Sequence, residues 1–192
     1  MIQNHKDYKR YLNSDAHALF SKKPSIIEKL KNPIWKYQRL LRKCEYFRNT
    51  NRFVPLYLNI LYLYNKFRLS KMGYKLGFSI SENVFDEGLS IAHYGTIIVN
   101  PSVKVGKNCR IHAGVNIGAS VDGKSPMIGD NVYIGPGAKI FGGIILGNNI
   151  AVGANAVVNK SFPLGNCTIG GIPAHIISEK DSRLLAVTYY WK

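Results

Sequence analysis

The 192-residue chain is long enough for one domain or for one domain with an appended module, and its 46% apolar content is ordinary for a globular protein. The net charge of +15 is uneven, because residues 1–76 carry seventeen Lys and Arg against four acidic residues, whereas residues 77–192 are nearly balanced. Three scattered cysteines exclude a disulfide framework, and the polar first ten residues do not resemble a signal peptide, so a reduced, cytoplasmic protein is expected.

Residues 1–76 are predicted to form a basic α-helical module. Apolar residues recur at intervals of three and four from Lys6 to Phe20 and again after Ser25, with Pro33 as a point at which the helix splits or kinks. A more apolar segment, 51–69, is shorter than the ~20 residues that cross a bilayer. We expect it to pack against its own chain or a neighbouring subunit, or to lie at a membrane interface.

The charge of this module predicts contact with an anionic membrane face or another polyanion, and a merely solvated helical face is the plain alternative. A nucleic-acid partner is not expected. A peripheral position at the inner face of the membrane is compatible with this charge.

An aliphatic residue returns every six positions from Ile97 to Leu164, with a second apolar column two positions earlier. The first column is Val99, Val105, Ile111, Ile117, Ile128, Ile134, Ile140, Leu146, Val152, Val158 and Leu164. The second column is Val103, Cys109, Val115, Val132, Ala138, Ile144, Ile150, Ala156 and Phe162. A six-residue period fits neither a helix nor an alternating strand, and it predicts a parallel β-coil with three hexads, about 18 residues, per turn. Asparagines are expected at its corners: Asn108, Asn116, Asn131, Asn148 and Asn149.

The repeat is interrupted at three places. Residues 73–91 lack clean hexads and are interpreted as a transition into the coil. Residues 119–127 exceed the repeat length and predict an exposed, mobile loop, which makes them a functional candidate. The tail, 178–192, is expected to cap the open edge of the coil.

The hexads resemble those of the left-handed β-helix acyltransferases, as do the segment around His93, the run 153–160 and the run 171–176. Within that superfamily the sequence is most similar to serine acetyltransferases and to O-acetyltransferases of surface-polysaccharide gene clusters. The resemblance implies a mainly β fold, a left-handed parallel β-helix over residues 77–177 that follows the N-terminal α-helical module.

The resemblance implies that His93 is the catalytic base that takes the proton of an acceptor hydroxyl as it attacks the thioester of acetyl-CoA. The family's histidine is usually oriented by an aspartate about fifteen residues earlier, and this position is Phe78 here. Asp86 is therefore the catalytic candidate for this role, while Glu82, Glu87 or a backbone carbonyl remain alternatives.

Acetyl-CoA is implied to lie in a groove between two subunits of a homotrimer or of a dimer of trimers. The implied cofactor-binding residues are Gly135, Pro136, Ala154, Asn159, Lys160 and His175. The implied acceptor-binding residues are Tyr94, His112 and Lys124. No metal is expected, because the related carbonic anhydrases need three histidines, and here only His112 follows His93 within the middle of the coil.

The acceptor is predicted from two departures from the serine acetyltransferases. Ala92 stands where they carry an aspartate, and Lys124-Ser125 stand where they carry an Arg-His pair. Loss of such charge-assisted contacts removes about 1.5–3 kcal/mol each, so a sugar hydroxyl of a capsular or O-antigen polysaccharide or its precursor is preferred. The alternatives are a serine O-acetyltransferase of cysteine biosynthesis and, in another class, a non-catalytic β-helix scaffold.

Overall fold

The computed structural model describes residues 1–20, 22–50 and 56–184. Four helices precede the coil: α1 (His5–Leu19), α2 (Ile26–Lys31), α3 (Pro33–Thr50) and α4 (Leu56–Leu76). Ser25 caps α2 in a reciprocal capping box with Glu28. The helix divides at Pro33 because Pro33 occupies the first turn of α3, where the Asn32 side chain accepts a hydrogen bond from the Trp35 amide at 2.9 Å.

Fourteen short strands follow, and all but the last pair are parallel. They are β1 (Phe78–Ser79), β2 (Ser90–Ile91), β3 (Ile97–Val99), β4 (Lys104–Val105), β5 (Arg110–Ile111), β6 (Asn116–Gly118), β7 (Met127–Ile128), β8 (Tyr133–Ile134), β9 (Lys139–Phe141), β10 (Ile145–Leu146), β11 (Ala151–Val152), β12 (Val157–Val158), β13 (Thr168–Gly171) and β14 (Ala174–Ser178).

The strands stack into three sheets that form the sides of a coil of about five turns. Sheet 1 has the order β1-β3-β6-β9-β12, sheet 2 has the order β4-β7-β10, and sheet 3 has the order β2-β5-β8-β11-β13-β14. Each turn of the chain visits the three sheets in succession, as three hexads per turn predict. This confirms the predicted parallel solenoid and is consistent with a left-handed β-helix.

The hexad columns form the core of the coil. The first column is buried from Val99 to Val158, and the second is buried from Val103 to Ala156. Leu164 was wrongly assigned to the first column, because it is 90% exposed. The repeat ends at Phe162, which makes an isolated bridge. The chain then turns through Gly165, whose φ is 66°.

Asparagines line one corner of the coil. Asn108, Asn131, Asn149 and Asn166 all adopt left-handed backbone conformations with φ between 51° and 58°. Their side chains form a ladder in which each amide donates to the next asparagine at 2.8–3.0 Å. The prediction for Asn116 was wrong: it lies in β6 and is exposed, because the hexad position before an inward marker is a strand position.

The first coil lies where the sequence predicted only a transition. Helix α4 continues to Leu76, and residues 78–91 then form a complete turn whose middle side is a single bridge from Phe85 to Val105. Phe78, Val84 and Leu89 are buried in it. Phe85 stands at a marker position and Phe78 two residues before one, so aromatic side chains enter both columns here and the period was hidden.

The helices cover the N-terminal end of the coil through a buried ionic network. The guanidinium of Arg42 is fully buried and donates to Asp15 at 2.8 Å and to Glu45 at 2.9 Å. It also donates to the carbonyl oxygens of Phe85 and Asp86, which belong to the first coil. This network joins α1 and α3 to the coil.

The predicted capping tail lies largely outside the described residues, which end at 184 with a short 3₁₀ turn, Ser182–Leu184. Within the described ranges, none of the helices has both the length and the apolar character needed to cross a bilayer.

Candidate functional site

His93 lies at the corner where the chain leaves sheet 3 and enters sheet 1. Its side chain is exposed. The preceding residue, Ala92, donates its amide to the Ile111 carbonyl oxygen at 2.9 Å, and the same bond pattern repeats at His112 and Gly135. His93 is therefore first in a column of equivalent positions, one per coil.

This column, which we call the His93 corner, consists of His93, Ala113, Pro136 and Ala154. The amide of Gly137 donates to Ala113 and that of Asn155 to Pro136, which keeps successive members in line. Gly135 precedes Pro136, and a Cβ added there would lie 2.7 Å from the Val152 carbonyl oxygen. Only glycine permits this close stacking.

His112 is the nearest ring to His93. The centroids of the His93 and His112 rings are 6.0 Å apart, and the centroid of the Tyr133 ring lies 5.0 Å from that of His112. His112 Nε2 is buried and has no hydrogen-bond partner within the described residues. Burial, and then the charges of Arg110 and His93, lower the pKa of His112 to about 4. His112 is thus a neutral imidazole near pH 7.

Three further residues near this pair were not predicted from the sequence. Ser90, Arg110 and Tyr133 are paired in register across β2, β5 and β8. Arg110 Nη1 donates to Ser90 Oγ at 3.0 Å. Their common hexad position, one residue before the inward marker, was the signal that could have placed them together.

Asp86 does not orient His93 in this structure, so the prediction for Asp86 is corrected. Its carboxylate accepts hydrogen bonds from the Tyr11 hydroxyl and from the Glu87 amide. Burial alone would raise the pKa of the Asp86 carboxyl, but these two hydrogen bonds oppose it. The net effect is a lowered pKa. The alternatives Glu82 and Glu87 are also engaged, with Lys66 and with Arg10. Asp86 faces the helical module because it leaves the first coil at the corner that α1 covers.

A cavity of about 400 Å³ opens between α4 and sheet 1, and Thr96, three residues after His93, is among its lining residues. Its hydroxyl-bearing lining residues are Tyr37, Ser70, Tyr74, Ser79, Ser81 and Thr96. Phe78, at the position of the family's aspartate, also lines the cavity. Its ring packs edge-on against that of Tyr37, with the two centroids 5.0 Å apart. Among its described lining residues Lys66 alone is charged, and Lys66 is paired with Glu82.

Tyr37 gives this cavity a polar group in a buried place. The side chain is 1% exposed, and no hydrogen bond to its hydroxyl is seen among residues 1–20, 22–50 and 56–184. Burial, aided by the charge of Glu82, raises the pKa of Tyr37, so the hydroxyl stays protonated. It is available to a ligand.

The predicted cofactor residues fall into three groups. Pro136 and Ala154 belong to the His93 corner, and Gly135 directly precedes Pro136. Asn159 and Lys160 follow β12, at the opposite end of the sheet 1 strands, where Lys160 Nζ lies 5.7 Å from the Phe162 ring centroid. His175 is exposed in β14, which pairs antiparallel with β13 at the edge of sheet 3. The structure brings only the first group into line with His93.

The predicted acceptor residues are also divided. Tyr94 directly follows His93 and is 68% exposed. The ring of His112 lies next to that of His93. Lys124 lies in the extruded loop at the other end of sheet 1, where its Nζ pairs with Asp122 at 3.0 Å. The loop is exposed as predicted, but it forms a compact turn in which the Ser120 amide donates to the Lys124 carbonyl oxygen at 2.8 Å.

Within the part of the chain that the structure describes, no three His, Cys, Asp or Glu side chains are grouped so that they could hold a metal ion. Cys44, Cys109 and Cys167 are buried and unpaired.

Comparisons with known proteins agree with this fold. Residues 125–160 match the family model described as bacterial transferase hexapeptide (six repeats). A serine acetyltransferase of Staphylococcus xylosus is 36% identical over 104 residues, which are 53% of this chain and 47% of that protein. The chain therefore spans about half the length of the curated relatives it matches.

Solved structures extend the similarity to the helices. Serine acetyltransferase from Brucella abortus strain S19 superposes with a TM-score of 0.71 at 25% identity and covers 93% of this chain and 72% of its own. The structure of the same enzyme in complex with coenzyme A superposes with a TM-score of 0.70 at 25% identity. This match covers 92% of this chain and 70% of that chain. The predicted resemblance to left-handed β-helix acyltransferases, and among them to serine acetyltransferases, is confirmed.

Proposed function

We propose that this chain, whose coil and helices resemble serine acetyltransferases, is an acetyl-CoA-dependent O-acetyltransferase with His93 as its base. The observation that carries the proposal is the His93 corner, where the exposed imidazole begins a column that continues to Pro136 and Ala154. Ala154 lies three coils from His93, or about 14 Å at ~4.8 Å per coil. A pantetheine arm along small residues of this corner would present its thioester to His93.

In the proposed reaction His93 takes the proton of the acceptor hydroxyl while that oxygen attacks the thioester carbonyl carbon. The tetrahedral adduct then collapses, the carbon–sulfur bond breaks, and the coenzyme A thiolate leaves and is protonated. An imidazole suits this role because its protonation equilibrium lies near neutral pH. A covalent cysteine intermediate is disfavoured, because burial raises the pKa of Cys109 to about 12 and its side chain is 1% exposed.

His112 is proposed to contact the acceptor as a neutral hydrogen-bonding group. Its buried Nε2 lacks a partner within the described residues, and an unpaired buried polar atom is costly unless a ligand satisfies it. Since the depressed pKa keeps its ring uncharged near pH 7, His112 would not repel a protonated His93. Tyr94 and Lys124 stay predictions for acceptor contacts, and Asn159, Lys160 and His175 for coenzyme A.

Two acceptors are proposed, on different grounds. L-serine is supported by the relatives and solved structures named above, and it is the first acceptor to test. A neutral sugar hydroxyl is supported by the neutral Ala92 in place of an aspartate, by Lys124-Ser125 in place of an Arg-His pair, and by the cavity lined with hydroxyls, whose Lys66 is already paired. A zwitterionic amino acid finds no free carboxylate among the described lining residues of that cavity.

Assembly as a homotrimer is part of the proposal, because Lys124 and His93 lie at opposite ends of sheet 1 within one chain. A neighbouring copy would bring its loop to the His93 corner and close the coenzyme A groove. Sedimentation velocity on the purified protein measures this directly, and a monomer with full activity would contradict it.

The test is thiol release from acetyl-CoA with L-serine and, separately, with a panel of neutral sugars and capsular oligosaccharides. His93→Ala should reduce the rate by about 10²–10⁴-fold, the typical contribution of a general base. His5→Ala, which removes an exposed histidine from α1, is the matched control and should retain wild-type turnover. Acetyl-CoA binding without turnover on either acceptor class would favour the non-catalytic scaffold, and equal rates for His93→Ala and wild type would exclude His93 as the base.

A further inference from the structure

Helix α4 is apolar on two sides, and only one of them is buried. Leu69 packs into the core at 3% exposure, and Gly73 lies against the Phe78 carbonyl oxygen of the coil. On the opposite side five large side chains are exposed, and we call them the α4 outer face. They are Ile60 (58%), Leu63 (63%), Tyr64 (58%), Phe67 (67%) and Tyr74 (88%).

The spacing of the α4 outer face places its members on one side of the helix, and Tyr74, at one end, also borders the cavity beside sheet 1. Intervals of three, four and seven residues place side chains on the same side of an α-helix. From Ile60 to Tyr74 the stripe is about 21 Å long at 1.5 Å per residue. An exposed apolar stripe of this size on a helix is a sign of an interaction surface rather than of ordinary surface.

One edge of the stripe is strongly basic. Arg68 and Lys75 are exposed along this edge, and the Arg68 guanidinium lies 5.5 Å from the Tyr64 ring centroid. Lys71 is exposed within the stripe itself, between Phe67 and Tyr74. No Asp or Glu occurs in the sequence of α4. The acidic residue that pairs with α4 is Glu82, through Lys66. Its side chain is 2% exposed and is also paired with Arg48.

We propose that the α4 outer face binds the surface of an anionic lipid bilayer. An apolar stripe with Tyr at its margins and Lys and Arg beside it is the pattern of a helix that lies in the plane of a membrane interface. The anionic headgroups supply the negative charge that α4 lacks. A two-fold pairing of this face with the same face of a second copy fits less well, because it would bring the same uncompensated cations against each other.

The position of α4 gives this docking a consequence for the site. The helix ends at Leu76, whose carbonyl oxygen accepts a hydrogen bond from the Gly95 amide at 2.9 Å, two residues after His93. A bilayer under α4 would therefore hold the His93 corner close to the membrane surface, within reach of an acceptor attached to a lipid. This consequence rests on the proposed acetyltransferase function, whereas the docking itself does not.

The test is co-sedimentation of the full chain with phosphatidylcholine vesicles with and without phosphatidylglycerol, at low and high salt. The protein should bind the anionic vesicles only. Phe67→Ser should weaken binding about tenfold, because it removes an aromatic side chain that the bilayer would bury. Lys71→Gln should weaken it about fivefold at low salt and much less at high salt, because exposed charges are screened.

The matched control is Leu164→Ser, which removes an apolar side chain of the coil that is even more exposed, at 90%, and should bind like wild type. Circular dichroism checks that each variant remains folded, as expected for exposed positions. Equal binding by Phe67→Ser and wild type, or binding that ignores phosphatidylglycerol, would overturn the proposal. So would lipid-free association into larger assemblies that Phe67→Ser abolishes, since that result assigns the face to a second copy. Because the assay needs no turnover, a failed acetyltransferase test leaves its outcome unaffected.

Discussion

Arg42→Met should cost about 3–5 kcal/mol of the free energy of unfolding. The substitution keeps the volume of the side chain but leaves the carboxylates of Asp15 and Glu45 buried without a cation, at 0% and 2% exposure. Removal of one partner of a buried ion pair typically has this cost, because the remaining charge stays desolvated. The carbonyl oxygens of Phe85 and Asp86 lose their donor as well.

The assay is urea unfolding at fixed protein concentration, together with amide hydrogen exchange. Asp15 Oδ1 accepts the amides of Gly88 and Leu89 at 2.9 Å each, so loss of the network should accelerate exchange at these two amides of the first coil. Arg48→Met is the control, because its half-exposed pair with Glu82 at 3.3 Å should contribute about 0–1 kcal/mol.

The cost of Arg42→Met should also shrink with falling pH. Burial already raises the pKa of Glu45 although Arg42 opposes it, and loss of Arg42 would allow Glu45 to take up a proton. A cost below about 1 kcal/mol, equal to that of Arg48→Met, would refute the view that this network joins the helices to the coil.

Two further predictions concern the coil itself. The folded-state pKa of His112 is about 4 against 6.5 in the unfolded chain, so the unfolded state binds more protons between these values and stability should fall as pH drops through that window. For this partly buried ring we expect about 1–2 kcal/mol, and denaturant titrations at several pH values should show a flatter profile for His112→Gln. Asn131 has φ 56° and makes two ladder bonds, so Asn131→Ala should be less stable than Asn131→Gly by about 1 kcal/mol, because only glycine relieves the left-handed strain. Equal melting temperatures for these two variants would contradict that reasoning.

The coil could be predicted because two columns with one period indicate the same structure. Each hexad places two side chains inward, and the pattern therefore marks nearly every turn. It failed at Leu164, where a turn replaced the strand, and before Ile91, where the first coil has Phe85 at a marker position and Phe78 two residues before one. A repeat is visible only while its residues stay alike, although the backbone accepts other buried side chains.

The site was only partly predictable for a different reason. His93 and its neighbour His112 lie near one coil length apart, and the repeat brings them together. The partner of Asp86 is Tyr11, 75 residues earlier in a helix whose docking no local pattern reveals. Arg110 and Tyr133 stand at ordinary outward positions, and only the strand register shows that they meet beside His112.

These contacts connect the helical module to the proposed catalytic corner. His93 belongs to the first coil, so on its N-terminal side it has no further coil and depends on the helices for support. Phe78 occupies the position expected for an orienting aspartate, and it packs against Tyr37 of α3 instead. The hydrogen bond from Gly95 to Leu76 fixes the backbone just beyond His93 to α4. The backbone at His93 is therefore held by packing between the helices and the first coil, and substitutions in that contact should affect turnover as well as stability.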